Sequence, residues 1–217
     1  MINLLGEKLV KCNLKCEGIN NNPKEGIIPR CLMVEKGNGS NSCIVVGLNP
    51  GKCNEDEKKY YLGHGIKYES LLRYFSESNL KNIPYFKKTR DLITTQLGFK
   101  GDIVWTNLVK CECKGENGKI PIQTLRVCIN RFLREEVKIS NCSTIFALGN
   151  EAFKFCALGF PNHFIVGIPH PKARFGDFDK FNEKFLSNPS RYINILSNPK
   201  DNNGNYKAVD LKKDVIN

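Results

Sequence analysis

Short apolar runs alternate along the chain with stretches of helical periodicity. Ile44, Val45 and Val46 form a β-branched run that stops at Gly47-Leu48-Asn49-Pro50-Gly51. That stretch cannot continue a strand, because Pro50 donates no hydrogen bond and both glycines favour turns. The same pattern recurs at residues 102–107, ending on Asn107, at 144–149, ending on Gly149, and at 164–168, followed by Pro169-His170-Pro171. Between these runs, Tyr68, Leu71, Leu72 and Phe75 share one helical face, residues 90–96 suit a further turn or two, and Leu125, Cys128, Phe132, Leu133 and Val137 line another face. Residues 150–156 suit a helix directly after the 144–149 run. Strands alternating with helices predict an α/β fold: a single-domain three-layer sandwich around a central, mainly parallel four-stranded sheet.

The remaining segments are weaker signals. Residues 31–34 suit an edge strand, and 37–41 a turn into the strand that follows. The Gly, Asn, Pro and Lys content of residues 17–29 predicts an irregular surface loop that contributes no core, and the polar residues after Gly51, as far as Tyr60, predict a loop over a site. After Asn198 the chain is polar, which predicts a loose tail at 198–217 beyond a domain at 1–197. There is no internal repeat or low-complexity tract.

Composition narrows the partners. Lys and Arg number 33 against 22 acidic residues, a formal charge of +11 spread along all 217 residues. Such an excess suits a polyanion or an anionic membrane surface, although a merely solubilising basic surface gives the same balance. No apolar run approaches the roughly 18 residues that span a bilayer, and the first residues lack a basic head followed by an apolar stretch. The expectation is a soluble, intracellular, cytoplasmic protein that acts as a monomer without a membrane partner. In that setting ten cysteines do not suggest a disulfide framework, and metal ligation by some of them is the better account. Cys43, Cys142 and Cys156 lie among apolar residues and suit core positions.

Three of the strands end near a side chain able to act on a ligand: Asn49, Asn107 and His170. In open α/β sheets ligands bind at the carboxyl edge, so residues far apart in sequence converge there. Each also has a structural reading, as a turn-closing asparagine, a strand-end asparagine or a loop-fixing histidine.

Taken in order, Gly-Leu-Asn-Pro-Gly (47–51), Thr-Asn-Leu-Val-Lys-Cys (106–111), Ala-Leu-Gly-Asn-Glu-Ala (147–152) and His-Pro-Lys-Ala-Arg (170–174) resemble the uracil-DNA glycosylase superfamily. The cysteine placement is similar to that of its iron–sulfur branch, family 4, and the resemblance covers roughly residues 8 to 195. It implies a [4Fe-4S] cluster on Cys12, Cys16, Cys111 and Cys128, four thiolates being the set such a cluster needs. The first pair is spaced Cys-x3-Cys where the family shows Cys-x2-Cys, which keeps Cys31 and Cys113 open as substitutes. A structural zinc and metal-free thiols are the other readings.

The resemblance further implies a base-excision-repair enzyme, a monofunctional hydrolase removing uracil or a related damaged base from DNA. Asn49 and His170 would be catalytic. Gly47, Gly51, Asn107 and Tyr61 would bind the base, Tyr61 by stacking on it with Tyr60 as fallback, and Lys172 and Arg174 would meet the DNA, Arg174 as the wedge that fills the gap left by a flipped nucleotide. Lys52, Lys114 and Arg126 would add phosphate contacts.

Position 49 departs from family 4, which places a glutamate there; asparagine is the form in the mismatch-specific and single-strand-selective relatives. Lys52 stands where the best-known relatives carry a tyrosine that blocks thymine's methyl group, and Lys172 replaces a serine. Two other classes of function remain: a nucleic-acid-binding protein of the same fold without glycosylase activity, and a nucleotide-binding α/β protein, although no phosphate-binding glycine loop is present.

Overall fold

A computed structural model describes residues 2–30, 32–77, 83–115, 119–172 and 176–213. In chain order the strands are β1 (Ile19–Asn20), β2 (Met33–Glu35), β3 (Cys43–Gly47), β4 (Ile103–Asn107), β5 (Glu112–Cys113), β6 (Thr144–Leu148), β7 (Phe164–Ile168) and β8 (Ala208–Asp210). The helices are α1 (Ile2–Val10), α2 (Glu55–His64), α3 (Tyr68–Glu77), α4 (Pro84–Asp91), α5 (Ile122–Cys128), α6 (Arg134–Ser140), α7 (Asn150–Gly159), α8 (Asp177–Ser187) and α9 (Pro189–Ser197). Single π-helical turns extend α4 over Leu92–Gln96 and join α5 to α6 over Ile129–Leu133.

The main sheet has six strands in the order β2-β4-β3-β6-β7-β8, and β1 pairs with β5 in a separate two-stranded ribbon. β3, β6, β7 and β8 are mutually parallel, with Val46 opposite Ala147, Ala147 opposite Gly167 and Gly167 opposite Asp210. β4 is parallel to β3, since Cys43 N–H bonds to Asp102 O and Val109 N–H to Leu48 O, so the partner positions rise together. β2 runs the other way, with Arg30 N–H on Lys110 O and Asn38 N–H on Lys100 O. Every residue of β3, β6 and β7 is buried, as strands covered on both faces must be. The α/β class and the mainly parallel sheet are as expected, but the sheet has six strands and not four.

The two extra strands are β2, which overlaps the expected edge strand at 31–34, and β8. Residues 199–213 are therefore not a loose tail: β8 pairs with β7, Lys200 bridges to Tyr206, and Leu211 is fully buried. Two other expectations also fail. Residues 17–29 do supply core, with Ile19, Ile27 and Ile28 buried. The polar stretch after Gly51 becomes helical at Glu55, because Asn54 caps α2 by accepting from Glu57 N at 2.8 Å and three acidic residues in the first turn complement the helix dipole.

The chain folds into two compact units. One comprises Met1–Met33, Leu48–Leu80 and Trp105–Asn141; the other comprises Val34–Gly47, Lys81–Val104 and Cys142–Asn217. In the first, α1 packs on α3 and α6, and the Tyr68 ring lies where a Cβ on Gly6 would stand. In the second, α7 packs on β6 and β7, Phe99 meets Phe146 edge-on at 5.1 Å, and α8 buries Phe178, Phe181 and Phe185. Among the described residues no helix is long and apolar enough to cross a membrane.

Leu211→Ala should lower stability by about 2–5 kcal/mol, the range for emptying a buried leucine site, as read from urea unfolding. A change below about 0.5 kcal/mol, the value for a surface position, would show that the C-terminal segment is not part of the fold.

Candidate functional site

The parallel register brings the carboxyl ends of β3, β6 and β7 to one edge. Gly47 is the last, buried residue of β3, and Asn49 follows two positions later, half-buried, with its amide Nδ2 donating to Pro50 O at 2.9 Å. That bond uses one of the two N–H donors of the amide and orients the group. Asn107, the last residue of β4, is half-buried, and its backbone carbonyl accepts from Lys110 Nζ at 2.5 Å. Val109 N–H to Leu48 O, 2.9 Å, ties the turns after β4 and β3 together.

His170 follows β7 by two residues and is half-buried. Its Nδ1 accepts from Lys172 N at 3.1 Å, and the Tyr85 ring lies 5.4 Å away at 46°. Gly149, at φ +85°, turns the chain out of β6, a Cβ there would stand 3.7 Å from His170 Cβ, and its N–H bonds to Ile168 O at 2.9 Å. Burial, reinforced by the Lys172 charge, lowers the imidazole pKa below its ordinary value. An Nδ1 that accepts places the ring proton of the neutral form on Nε2. Lys172 itself is exposed, and Arg174 lies outside the described residues.

Tyr61 does not fit the role that the resemblance implies. It is fully buried in α2, its hydroxyl donates to Glu57 Oε1 at 3.0 Å, and its ring meets Tyr60 and Tyr74. Burial and the Glu57 charge push its phenol pKa far up. Tyr60, the fallback, is half-buried and stacked on His64 at 4.1 Å, with its hydroxyl on Glu77. Gly51 is exposed, and its carbonyl is held by Arg30. Lys52, Lys114 and Arg126 are all exposed.

Cys12, Cys16, Cys111 and Cys128 line a single cavity, walled by Leu14, Ile19, Pro29, Val109 and Phe132. Burial, with the other thiols nearby, raises the pKa values of Cys16, Cys111 and Cys128. Cys12, Cys16, Cys111 and Cys128 are free thiols, and Cys31 lies outside the described residues. Cys113 instead points its thiol at Gly18 O, 3.6 Å away. As the side chains stand, no three His, Cys, Asp or Glu groups among the described residues are gathered tightly enough to hold a metal ion. The four thiols thus share one chamber without closing on a common point.

Beside this chamber lies a buried ion pair that the sequence reading missed. Lys110 Nζ meets Glu136 Oε2, Thr106 Oγ1 at 2.7 Å and Asn107 O, with both charged side chains essentially inaccessible. Arg30, Glu57, Glu112 and Tyr85 were missed as well. They are ordinary residue types with no spacing signal, and only the fold brings them to the loops.

The mainly parallel sheet with buried central strands defines an α/β protein, the class in which ligands bind at strand carboxyl ends. A family model described as Uracil DNA glycosylase superfamily matches residues 35–193. The chain belongs to that superfamily. No curated protein matches it significantly.

A long-range 1H–15N spectrum at pH 7 should show His170 neutral, protonated on Nε2 and titrating below 6.5. Because the folded pKa is depressed, the unfolded chain takes up the proton first as pH falls through 6.5. Stability therefore drops from above that value down to the folded pKa. His163 is shifted the same way by burial, so the difference between wild type and His170→Gln isolates the His170 share. A His170 ring titrating at or above 6.5 would contradict this.

Proposed function

We propose that the protein is a monofunctional DNA glycosylase that hydrolyses the N-glycosidic bond of uracil, or of a related damaged base, and leaves an abasic site. Membership of the superfamily makes DNA glycosylase chemistry the first reading. The observation that carries it further is His170, neutral, half-buried beyond β7, and held by Lys172 N as an Nε2 donor. Such a group can donate to the uracil carbonyl nearest the sugar and stabilise charge that develops only as the bond breaks. Lowering of turnover more than of binding is the expected signature of its loss.

Asn107 would read the base. Its side-chain amide accepts from the ring N–H and donates to the second carbonyl, whereas cytosine presents the opposite pattern. Asn49 cannot take a proton at neutral pH as a carboxylate does. With one Nδ2 hydrogen on Pro50 O, the amide is oriented and its Oδ1 can accept from a water. That suffices if the bond breaks dissociatively, since the remaining tasks are stabilising a sugar cation and a leaving uracil anion. Lys172 and the exposed cations Lys52, Lys114 and Arg126 would hold phosphates, with a salt-dependent affinity.

The donor set of the thiol chamber fits a [4Fe-4S] cluster on Cys12, Cys16, Cys111 and Cys128: four thiols, apolar walls and one buried ammonium, that of Lys110. Thiols that raise one another's pKa are stabilised as thiolates by a bound cation. Such a cluster, when bound, supplies four metal–thiolate bonds that tie the amino-terminal segment to the turn after β4 and to α5. Anaerobically purified protein should be brown, absorb at about 400 nm, and lose that absorption in Cys111→Ala. A colourless, zinc-containing preparation would overturn the cluster.

Incubation with a uracil-containing oligonucleotide, followed by heating in alkali, should cut the strand at uracil. Asn49→Ala and His170→Ala should each lower base release by at least about tenfold with the fold intact, since one aimed hydrogen-bonding group is worth a few kcal/mol. Retention of the oligonucleotide without scission would instead mark a nucleic-acid-binding protein of this fold, and unchanged release in both variants would remove the mechanism.

A further inference from the structure

The segment that follows Asn49 is held by a set of buried charges contributed by three separate parts of the chain. Arg30, which immediately precedes position 31, forks onto Glu57: Nε meets Oε1 at 2.7 Å and Nη2 meets Oε2 at 2.8 Å, with both side chains buried. Its remaining arm, Nη1, donates to Gly51 O at 2.5 Å. Glu57 Oε1 also accepts from the Tyr61 hydroxyl, and Asn54 Oδ1 accepts from Glu57 N. Two residues beyond Gly51, Cys53 N donates to Glu112 Oε2 at 2.6 Å, while Glu112 Oε1 accepts from Asn20 Nδ2 at 3.0 Å.

Burial works against the charge on Arg30, but Glu57 outweighs it and raises the guanidinium pKa further. The clamp is also connected to the turn after β4. Arg30 N bonds to Lys110 O at 2.7 Å, Lys110 Nζ holds Asn107 O, and Glu112 directly follows Cys111.

A buried ion pair is poor evidence of stability alone, because two apolar residues of similar size serve as well or better. Arg30 does something apolar packing cannot do. It spends two donors on the carboxylate and a third on a backbone carbonyl of the Asn49 turn. Lysine, a point charge without the planar fork, cannot make those three bonds in that geometry.

We infer that Arg30 and Glu112 are positioning residues: they pin the Gly51 carbonyl and the Cys53 amide and so fix the turn that carries Asn49 beyond β3. Their action on base release rests on the glycosylase reading above; their action on the turn does not.

The test uses the full-length protein and three readouts: urea unfolding, hydrogen exchange of the peptide covering Leu48–Cys53, and single-turnover release of uracil. Arg30→Met combined with Glu57→Gln removes both buried charges and keeps an acceptor for Tyr61. It should unfold near the wild-type midpoint, exchange faster by at least about tenfold in Leu48–Cys53, and release uracil at least about tenfold more slowly while oligonucleotide affinity changes less than about threefold, as expected when a reacting group is misplaced and not lost. Glu112→Ala should act the same way, and Glu112→Gln, which keeps an oxygen for Cys53 N, should recover most of the lost rate.

Exchange in Leu48–Cys53 that stays at the wild-type rate overturns the inference, as does a loosened segment with unchanged release. If the double variant fails to fold, the Glu112→Ala and Glu112→Gln pair decides alone. Wild-type protein that releases no uracil defeats the glycosylase reading, and the exchange measurement still decides the clamp.

Discussion

The parallel hydrogen-bonded register of β3, β6 and β7 is the constraint on which the candidate site depends. Parallel strands all finish at one edge, and residue-for-residue pairing from Cys43 through Ala147 to Gly167 leaves no slack in where they finish. A slip of one residue would turn every side chain to the opposite face. Because these strands are buried throughout, the cost of such a slip is large. The edge is therefore a fixed platform, from which Gly149 leaves β6 and His170 follows β7.

The residues leaving that edge need more than the sheet to hold them, because turns have few hydrogen bonds of their own. Buried charge supplies the rest. Arg30, Glu57 and Glu112 hold the backbone of Gly51 and Cys53, while Lys110, paired with Glu136, holds the Asn107 carbonyl. Lys110 and Glu112 flank Cys111, one of the four thiols lining the chamber. The chamber and the Asn107 turn thus share one short stretch of chain, residues 107–112, to which the Asn49 turn is hydrogen-bonded through Leu48 O and Cys53 N.

Much of the fold was legible as hydrophobic pattern. β3, β4, β6 and β7 stand out as apolar runs, and the face of Leu125, Phe132 and Val137 marks the α5–α6 helix. Other elements were hidden by polar composition. Helix α2 begins in a charged stretch whose cue, Asn54 three residues before Glu57, is a local capping signal and not a periodic one. β8 is three residues long and only partly buried, so its pairing with β7 leaves almost no trace in the sequence. Among the candidate residues, Asn49, Asn107 and His170 were legible because they follow or close recognisable strand ends. Tyr61 was misjudged because its place after the first motif suits a stacking aromatic, and only burial against Glu57 shows otherwise. Arg30, Glu57 and Glu112 could not be read, since long-range pairing among so many charges has no sequence period.

The central claim of the proposed function is that Asn49, Asn107 and His170 each act on the base of a DNA substrate. Titrating 15N-labelled protein with free uracil and following both asparagine side-chain amides and the His170 ring nitrogens tests it most directly. The account predicts that all three sets of signals shift together along one saturation curve, with His170 still protonated on Nε2. Signals that stay fixed, or that respond with unrelated midpoints, would contradict it.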